Sequence, residues 1–323
     1  MVSEYPLVSI VTPSYNQGQY IEETIQSVST QDYPNLEYLV VDGRSTDETL
    51  EILKRYENRL VWLSEKDQGQ ADAINKGFRM ARGEILGWLN SDDTYLPGTI
   101  RKVVHYFQTH PDVGMVYGEG YHSDMESKII ERYYTEPFDF QRLSEICFIC
   151  QPTAFFRAEV FREIGPLDIS LRYCLDYDYW MRIARRFRIG YLNEYLANSR
   201  LHTETKTRSQ RLAVHEEVLR VVKRHYGRVP ARWLYGYAQV YISEKFLSPA
   251  EGIDRDGWVS HPVKGLSQSD WKQYLLLLAF HLLFLWKSLR VNHRFPFQAL
   301  RQDGRRFWRA LKRELFQHLG NQR

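Results

Sequence analysis

The sequence predicts an α/β fold in which a mainly parallel sheet is flanked by helices, followed by a mostly helical C-terminal region. Short β-rich segments alternate with helical segments over the first 120 residues, which is the order of elements in parallel βαβ units. From residue 208 onward the hydrophobic pattern has mainly the helical period. The length of 323 residues fits about two domains.

The predicted elements of the first half are apolar runs and amphipathic segments separated by polar residues. The pattern predicts strands at residues 7–11, 36–41, 60–63, 85–89 and 114–117. It predicts helices at residues 19–29, 45–56, 71–81 and 99–109. Ser45 and Glu48 are spaced as a capping box, so we expect the second helix to begin at Ser45.

The second half is predicted to be mixed at first and then helical. Helices are expected at residues 157–164, 176–186, 212–225, 271–289 and 298–319, and a strand at 189–192. A boundary near residue 228 divides the chain into a first domain, 1–228, and a helical region, 229–323. The first domain itself is expected to consist of two halves, 1–120 and 121–228.

The composition is that of an ordinary globular protein. Hydrophobic residues make up 43% and charged residues 26%, which excludes a disordered or collagen-like chain. Three cysteines are too few for a disulfide framework, and we expect Cys147 and Cys150 to be buried free thiols. Residues 1–6 show no signal-peptide segment, and the longest apolar run, 274–286, is shorter than the ~20 residues that span a bilayer. These features predict a cytoplasmic protein.

The charge is distributed unevenly along the chain. Residues 261–323 contain twelve Lys and Arg residues against three acidic residues, a net charge of +9, while the other 260 residues carry −6. Apolar helices flanked by cations suit the surface of an anionic membrane, so residues 271–323 are expected to associate with one peripherally. The alternative is that these helices pack on the rest of the protein. No nucleic-acid binding module is recognisable, and nucleic acid is not an expected partner.

Polar clusters follow four of the predicted strands, at residues 12–16, 42–45, 65–69 and 90–93. Ligands of open parallel sheets bind at the carboxyl ends of the strands, so these clusters predict one shared site. The chain contains neither a G-x-G-x-x-G after its first strand nor a P-loop motif, which disfavours dinucleotide binding and P-loop phosphate transfer. Asp92 and Asp93 supply oxygen ligands of the kind that hard divalent cations prefer.

These clusters have the order and spacing of a known family. The motifs are Pro13-Ser14-Tyr15-Asn16, Asp42-Gly43-Arg44-Ser45-Thr46-Asp47, Asp67-Gln68-Gly69, Asp72-Ala73-Ile74-Asn75-Lys76-Gly77, Asn90-Ser91-Asp92-Asp93, Gln151-Pro152-Thr153, Asp176-Tyr177-Asp178 and Arg200-Leu201-His202. Over residues 6–210 the chain resembles the family-two glycosyltransferases of the GT-A fold. The resemblance implies that residues 1–120 bind the nucleotide and 121–228 the acceptor.

The resemblance also implies individual roles. The donor would be bound by Thr12, Pro13, Tyr15, Asp42, Asp67, Asp72 and Asp92. Asp93 would hold the metal, Mn²⁺ or Mg²⁺, with His202 as a second ligand, and Asp176 would be the general base of an inverting transfer. Asp178, two residues further on, is the alternative base. Many relatives carry a second Asp where this chain has Gly43, and some of them read uracil with it; Asp42 could substitute here.

We therefore expect a divalent-metal-dependent, inverting glycosyltransferase. Its donor would be a nucleotide sugar, expected to be UDP-linked, and its acceptor a glycan or a lipid-linked hydroxyl in the synthesis of cell-envelope polysaccharide. Two other functions remain open. A nucleotidyltransferase that forms sugar nucleotides would use a similar sheet and metal, although it needs a Gly-rich, Arg-bearing loop that residues 12–18 lack. A non-catalytic sugar- or lipid-binding scaffold would not need Asp176.

Overall fold

A single mixed sheet organises the N-terminal part of the chain. The structure, a computed structural model, describes residues 4–202, 209–246 and 271–292. Within these ranges nine strands lie in the order β3-β2-β1-β4-β8-β6-β9-β5, with β7 paired to β6. The contacts divide the chain into two units, Met1–Gln210 and Arg211–Arg323, a division that lies N-terminal to the boundary expected at residue 228.

The first half of the sheet is built from parallel βαβ units, as predicted. Strands β1, β2, β3 and β4 are all parallel to their neighbours, so their carboxyl ends meet at one edge. The elements are β1 (Val8–Ser14), α1 (Gly18–Ser29), β2 (Leu36–Asp42), α2 (Thr49–Arg55), β3 (Val61–Ser64), α3 (Gln70–Met80) and β4 (Ile85–Trp88).

The second half adds antiparallel pairs to this sheet. Strand β8 runs antiparallel to both β4 and β6, whereas β6 and β9 pair in parallel along most of their length. The elements are β5 (Thr94–Tyr95), α4 (Thr99–Thr109), β6 (Val113–Ser123), β7 (Ile129–Arg132), α5 (Phe140–Leu143), β8 (Phe155–Arg157), α6 (Ala158–Ile164), α7 (Leu175–Ile183) and β9 (Arg188–Arg200). The predicted α/β class is confirmed.

Helix α3 packs closely on β1 because of a glycine. A Cβ on Gly77 would lie 2.3 Å from Val11 Cγ1, closer than carbon atoms can approach. Val11 is fully buried, so its side chain has little room to move. This contact holds α3, and with it the loop before its first residue, against the carboxyl end of β1.

The predicted capping box does not form. Helix α2 begins at Thr49, and Ser45 lies in the loop before it. The Ser45 hydroxyl donates to the carboxylate of Asp42 and accepts a hydrogen bond from the backbone N–H of Asn16 at 2.7 Å. A buried carboxylate is a stronger acceptor than a neutral group, so Ser45 closes the loop after β2 instead of capping a helix.

The second unit is helical in its described part. It contains α8 (Arg211–Tyr226), α9 (Ala231–Phe246) and α10 (Trp271–Asn292), which confirms two of the predicted C-terminal helices. The ring of Tyr235 stacks on Phe284 with centroids 4.1 Å apart, joining α9 to α10. The predicted helix at 298–319 lies outside the described residues. None of the helices that the structure describes is both long and apolar enough to cross a bilayer.

Candidate active site

A cavity of about 600 Å³ lies at the carboxyl ends of β1, β2 and β4, where the polar clusters meet. This volume is in the range of small-molecule sites, roughly 300–1,000 Å³. Six of the predicted site residues line it: Pro13, Tyr15, Asp67, Asp92, Asp176 and His202. Four do not: Thr12, Asp42, Asp72 and Asp93.

Asp92 and His202 form one wall of the cavity. His202 Nε2 lies 3.1 Å from Asp92 Oδ2, and the imidazole packs beside the ring of Tyr20 at a centroid distance of 5.1 Å. A carboxylate oxygen and an imidazole nitrogen this close together fit a divalent cation such as Mn²⁺. Among the described residues no cluster of three or more His, Cys, Asp or Glu side chains could hold a metal ion, so this pair supplies two protein ligands at most.

Asp93 faces the interior of the protein. Its Oδ1 accepts from the backbone N–H of Arg200 at 3.0 Å, and its Oδ2 accepts from Asn90 Nδ2 at 3.1 Å. Burial, and then the charge of Asp92, raise the pKa of the Asp93 carboxyl well above its usual range. The Asp93 side chain ties the loop after β4 to the end of β9 and does not line the cavity; that Asp93 holds the metal stays a prediction.

Arg200 fixes the same loop from the other side. Its Nε donates to the backbone carbonyl of Asp92 at 2.8 Å, and its Nη2 pairs with Glu23 at 2.5 Å. The guanidinium also lies 4.9 Å from the centroid of the Tyr20 ring. This buried cation and Asp93 together hold Asp92 and His202 at the cavity wall.

The Asp42 carboxylate is buried beside the cavity and is hydrogen-bonded to other residues of the protein. It is fully buried, and its Oδ2 accepts from the backbone N–H of Ser45 at 2.9 Å and from the Ser64 hydroxyl at 2.6 Å. Thr12 is buried too, and its hydroxyl lies 3.1 Å from Tyr38 Oη. Both side chains bond groups of the protein and neither lines the cavity; that Asp42 and Thr12 contact the nucleotide stays a prediction.

Asp72 belongs to the start of α3. Its Oδ2 accepts from the backbone N–H of Gln68 at 3.1 Å and lies 3.5 Å from Lys76 Nζ. The side chain therefore fixes the loop before α3 and does not line the cavity; that Asp72 binds the donor stays a prediction.

Asp67, in contrast, faces the cavity. Its Oδ1 accepts from the backbone N–H of Gly69 at 2.9 Å, which fixes the carboxylate. Its Oδ2 lies against Gly43, where a Cβ would be only 2.7 Å away, and the Tyr15 ring lies 3.4 Å from the same point. Asp67, Gly43 and Tyr15 thus form one recess of the cavity.

Asn90 joins the two halves of the first unit. Its Oδ1 accepts from Gln70 Nε2 and from Trp88 Nε1, both at 2.8 Å, and its Nδ2 donates to Gln151 Oε1 at 2.9 Å. Gln151 donates in turn to the backbone carbonyl of Trp88 at 2.8 Å. The hydrogen bonds of Asn90 are therefore used within the protein, and this network fixes the floor of the cavity.

Asp176 and Asp178 point in different directions. Both lie in the first turn of α7, and residues two apart on a helix face nearly opposite sides. Asp176 lines the cavity, whereas Asp178 is buried with Arg182 Nη1 3.6 Å away. Of these two carboxylates, Asp176 is therefore the one on the cavity side.

Comparison with known proteins identifies the family. Residues 9–165 match the family described as glycosyl transferase family 2. A PGL/p-HBAD biosynthesis glycosyltransferase of Mycobacterium bovis is 31% identical over 182 residues, which cover 55% of this chain and 69% of that protein. The chain belongs to glycosyltransferase family 2.

Other relatives of this family-2 glycosyltransferase agree. An uncharacterized glycosyltransferase of Rickettsia prowazekii is 32% identical over 212 residues, 62% of this chain and 66% of the relative. The chondroitin synthase of Escherichia coli is 29% identical over 215 residues, 66% of this chain but 31% of the synthase. The match thus spans just under two thirds of the first relative and a third of the synthase.

Solved structures confirm the GT-A type fold. S. aureus TarS 1-349 in complex with UDP-GlcNAc has a TM-score of 0.57 at 18% identity, covering 88% of this chain and 82% of that one. The mannosyltransferase PcManGT from Pyrobaculum calidifontis, in complex with GDP-Man and Mn²⁺, has a TM-score of 0.51 at 20% identity, covering 97% and 86%.

The glycosyltransferase cavity also contains residues that the sequence did not single out. Arg172 and Tyr173 line it just before α7, and Trp88 lines it from the end of β4. A single Arg–Tyr pair in a loop has no spacing that indicates a site. Only its position, three to four residues before Asp176, could have indicated that it lies near the cavity.

Proposed function

We propose that this glycosyltransferase moves a sugar from a nucleoside-diphosphate donor to an acceptor hydroxyl, with inversion at the anomeric carbon. The observation that supports this proposal is that Asp176 and the Asp92–His202 pair line one cavity of about 600 Å³. Such a cavity can hold a diphosphate beside the pair and an acceptor beside Asp176. Solved structures of similar fold hold UDP-GlcNAc and GDP-Man, which supports a nucleotide-sugar donor, and we propose a UDP-linked one.

The Asp176 carboxylate acts as general base in this scheme. It accepts the proton of the acceptor hydroxyl, and the hydroxyl oxygen attacks the anomeric carbon from the face opposite the diphosphate. The bond from the anomeric carbon to the phosphate oxygen breaks, and its electron pair leaves with the nucleoside diphosphate. A single displacement of this kind inverts the configuration.

Asp92 and His202 would hold the divalent cation, Mn²⁺ or Mg²⁺. When bound there, the cation would stabilise the negative charge that develops on the leaving diphosphate. Lys66 and Arg172 line the same cavity and add two positive charges that attract the donor phosphates.

Donor turnover tests the assignment. Nucleoside diphosphate release is measured with a panel of nucleotide sugars and an acceptor, with and without Mn²⁺. Asp176→Asn should lower transfer by at least about 100-fold while donor binding is retained, since general bases contribute about 10²–10⁴-fold. Asp178→Asn is the matched control on the same helix turn and should retain transfer in the folded fraction.

Three outcomes contradict the proposal. Wild-type transfer by Asp176→Asn removes the base assignment. Pyrophosphate release from a nucleoside triphosphate and a sugar phosphate indicates a nucleotidyltransferase. Binding of a sugar or lipid with no release from any donor indicates a scaffold.

We also propose that the chain works at an anionic membrane surface and uses a lipid-linked acceptor of the cell envelope. On α10, Leu282, Trp286 and Leu289 are 57%, 50% and 47% exposed and lie on one face, while Phe284 and Ser288 are buried on the other. The Arg290 guanidinium lies 5.1 Å from the Trp286 ring. Exposed apolar residues beside cations are typical of interfacial helices.

Vesicle co-sedimentation of the full chain tests this second proposal. Binding to phosphatidylcholine vesicles that contain phosphatidylglycerol, and little binding to phosphatidylcholine alone, is expected. The double substitution Leu282→Gln and Leu289→Gln should weaken the binding at least tenfold, whereas Ile129→Gln and Ile130→Gln, equally exposed on β7, should not. The proposal is contradicted if the two double variants bind the vesicles equally well. It is also contradicted if Leu282 and Leu289 mediate self-association of the chain without lipid.

A further inference from the structure

One face of helix α1 supports the cavity wall that contains His202. Residues three and four apart on a helix share a face, so Tyr20, Glu23 and Thr24 lie side by side. The Tyr20 ring packs beside His202 at a centroid distance of 5.1 Å, and the Thr24 hydroxyl donates to the backbone carbonyl of Asp93 at 2.8 Å. Of the three, only Glu23 brings a charge to this wall.

Glu23 contacts the buried guanidinium of Arg200, whose side chain is 3% exposed. Glu23 Oε2 accepts from Arg200 Nη2 at 2.5 Å, and its Oε1 accepts from the Ser127 hydroxyl at 2.5 Å. Asp93 bonds the backbone N–H of Arg200. Of the acidic side chains that the structure describes, Glu23 is the one within ion-pair distance of the guanidinium, which makes it the counter-charge.

An uncompensated cation at this position would oppose the binding of a metal ion. Arg200 Nε donates to the backbone carbonyl of Asp92 at 2.8 Å, so the guanidinium adjoins the residue proposed as the charged metal ligand. Repulsion between like charges is strongest where water is excluded, and the Arg200 side chain is buried. With Glu23 present, the two charges of the ion pair cancel, and Asp92 retains its attraction for a divalent cation.

We propose that Glu23 is a positioning residue of the metal site: it neutralises Arg200, so that this arginine can brace the loop of Asp92 without repelling the cation. The inference rests on the proposed function in requiring that Asp92 and His202 hold that cation. Glu23 does not line the cavity, and its side chain is 46% exposed. It therefore acts through Arg200 and not as a ligand.

Removing only the charge of Glu23 tests this role. Glu23→Gln can keep both hydrogen bonds, because an amide oxygen accepts from Arg200 and an amide nitrogen donates to Ser127. The Mn²⁺ affinity of the full chain at saturating UDP, measured from the electron paramagnetic resonance signal of free Mn²⁺, should fall about 3- to 30-fold. The affinity for UDP in EDTA, measured by titration calorimetry, should equal that of the wild type or rise, because an extra positive charge attracts an anion. A loop that was merely loosened would bind both ligands more weakly.

Glu22→Gln is the matched control. It removes the same charge from the neighbouring residue of α1, whose side chain is 41% exposed and pairs with Arg55 at 3.0 Å. The affinities of this variant for Mn²⁺ and for UDP should both remain those of the wild type.

Returning a charge from the adjacent turn separates the effect of charge from that of shape. Ser127 lies beside Glu23 and has a φ of 65°, a conformation that Asp and Asn adopt more readily than most side chains. Adding Ser127→Asp to Glu23→Gln should recover at least half of the lost Mn²⁺ affinity on a logarithmic scale. Ser127→Asn in the same background adds a side chain of the same shape without charge and should recover none.

The failures are distinguishable. If the folded wild-type protein does not bind Mn²⁺ together with UDP, the proposed function and this inference are both overturned. If it binds them and Glu23→Gln keeps the wild-type Mn²⁺ affinity, the inference alone is overturned. A parallel loss of Mn²⁺ and UDP affinity in Glu23→Gln, or equal recovery by Ser127→Asp and Ser127→Asn, overturns it as well.

Discussion

Replacing each of the adjacent residues Asp92 and Asp93 by Ala should give opposite results. Asp92 lines the cavity beside His202, so Asp92→Ala removes a proposed metal ligand. Asp93 is buried and accepts from Arg200 and Asn90, so Asp93→Ala removes a brace. The first change should act on metal dependence and the second on stability.

The magnitudes follow from the contacts. Asp93→Ala leaves the backbone N–H of Arg200 without its acceptor and removes one of the two acceptors of Asn90 Nδ2, at about 1–3 kcal/mol each, and removal of a buried polar group offsets part of this loss. A net loss of about 3 kcal/mol lowers the Tm of a unit this size by about 6–12 °C. The Asp92 side chain is 24% exposed, so Asp92→Ala should change the Tm by less than about 3 °C.

Two measurements check the pair. Calorimetric Tm values report stability, and the Mn²⁺ concentration that gives half-maximal transfer reports the metal site. Asp92→Ala should raise that concentration by more than about tenfold, while Asp93→Ala, assayed below its Tm, should raise it less. The reasoning is refuted if Asp93→Ala keeps the wild-type Tm but loses metal-dependent transfer, because Asp93 would then be the ligand.

Two further predictions concern stability. Burial alone would raise the pKa of Asp47, but hydrogen bonds from Thr49 and from the Gly18 N–H at the start of α1 outweigh it and lower the pKa. Because the pKa of Asp47 in the folded protein lies below its value in the unfolded chain, the stabilisation is complete above about pH 5 and is lost as the pH falls through the folded pKa. In urea unfolding, the free energy of unfolding of the wild type should therefore fall more steeply at acid pH than that of Asp47→Asn. Gly77→Ala places a methyl 2.3 Å from Val11 Cγ1 and should cost about 1–3 kcal/mol by overpacking, seen as a lower urea midpoint; an unchanged midpoint would show that α3 can move away from β1.

The order of elements was predictable because it depends on hydrophobic period, which the sequence displays directly. Strands such as β1 and β2 were identified within a few residues of their ends, and with them the edge of the sheet where the cavity lies. Strands β5, β7 and β8 were not predicted, and each is four residues or shorter. Strands β5 and β8 pair with strands distant in the chain, whereas β7 pairs with the preceding strand, β6, and its four exposed residues show no strong hydrophobic pattern.

The orientation of individual side chains was not predictable. Asp92 and Asp93 are adjacent in a loop, where no fixed period decides which carboxylate faces the cavity. The orientation depends on Arg200, 107 residues away, because its backbone N–H donates to the Asp93 carboxylate and holds it in the interior, while Asp92 faces the cavity. Ser45 was misassigned for a similar reason, since its acceptor, Asp42, becomes buried only when the sheet forms.

The acidic residues at this edge of the sheet therefore fall into two groups: those that fix the loops and those that line the cavity. Asp42, Asp72 and Asp93 accept hydrogen bonds from backbone N–H groups of the loops or of β9, and their oxygens are used by the protein. Asp67 and Asp92 lie on the cavity side of the same loops, each fixed by one contact. The three carboxylates bonded to backbone N–H groups fix the loops that carry Asp67 and Asp92. Without them, a ligand would have to order these loops when it binds, which would weaken its affinity. A cluster of acids in such a sequence consequently marks the edge of the sheet where the cavity lies, but of these five carboxylates only Asp67 and Asp92 line it.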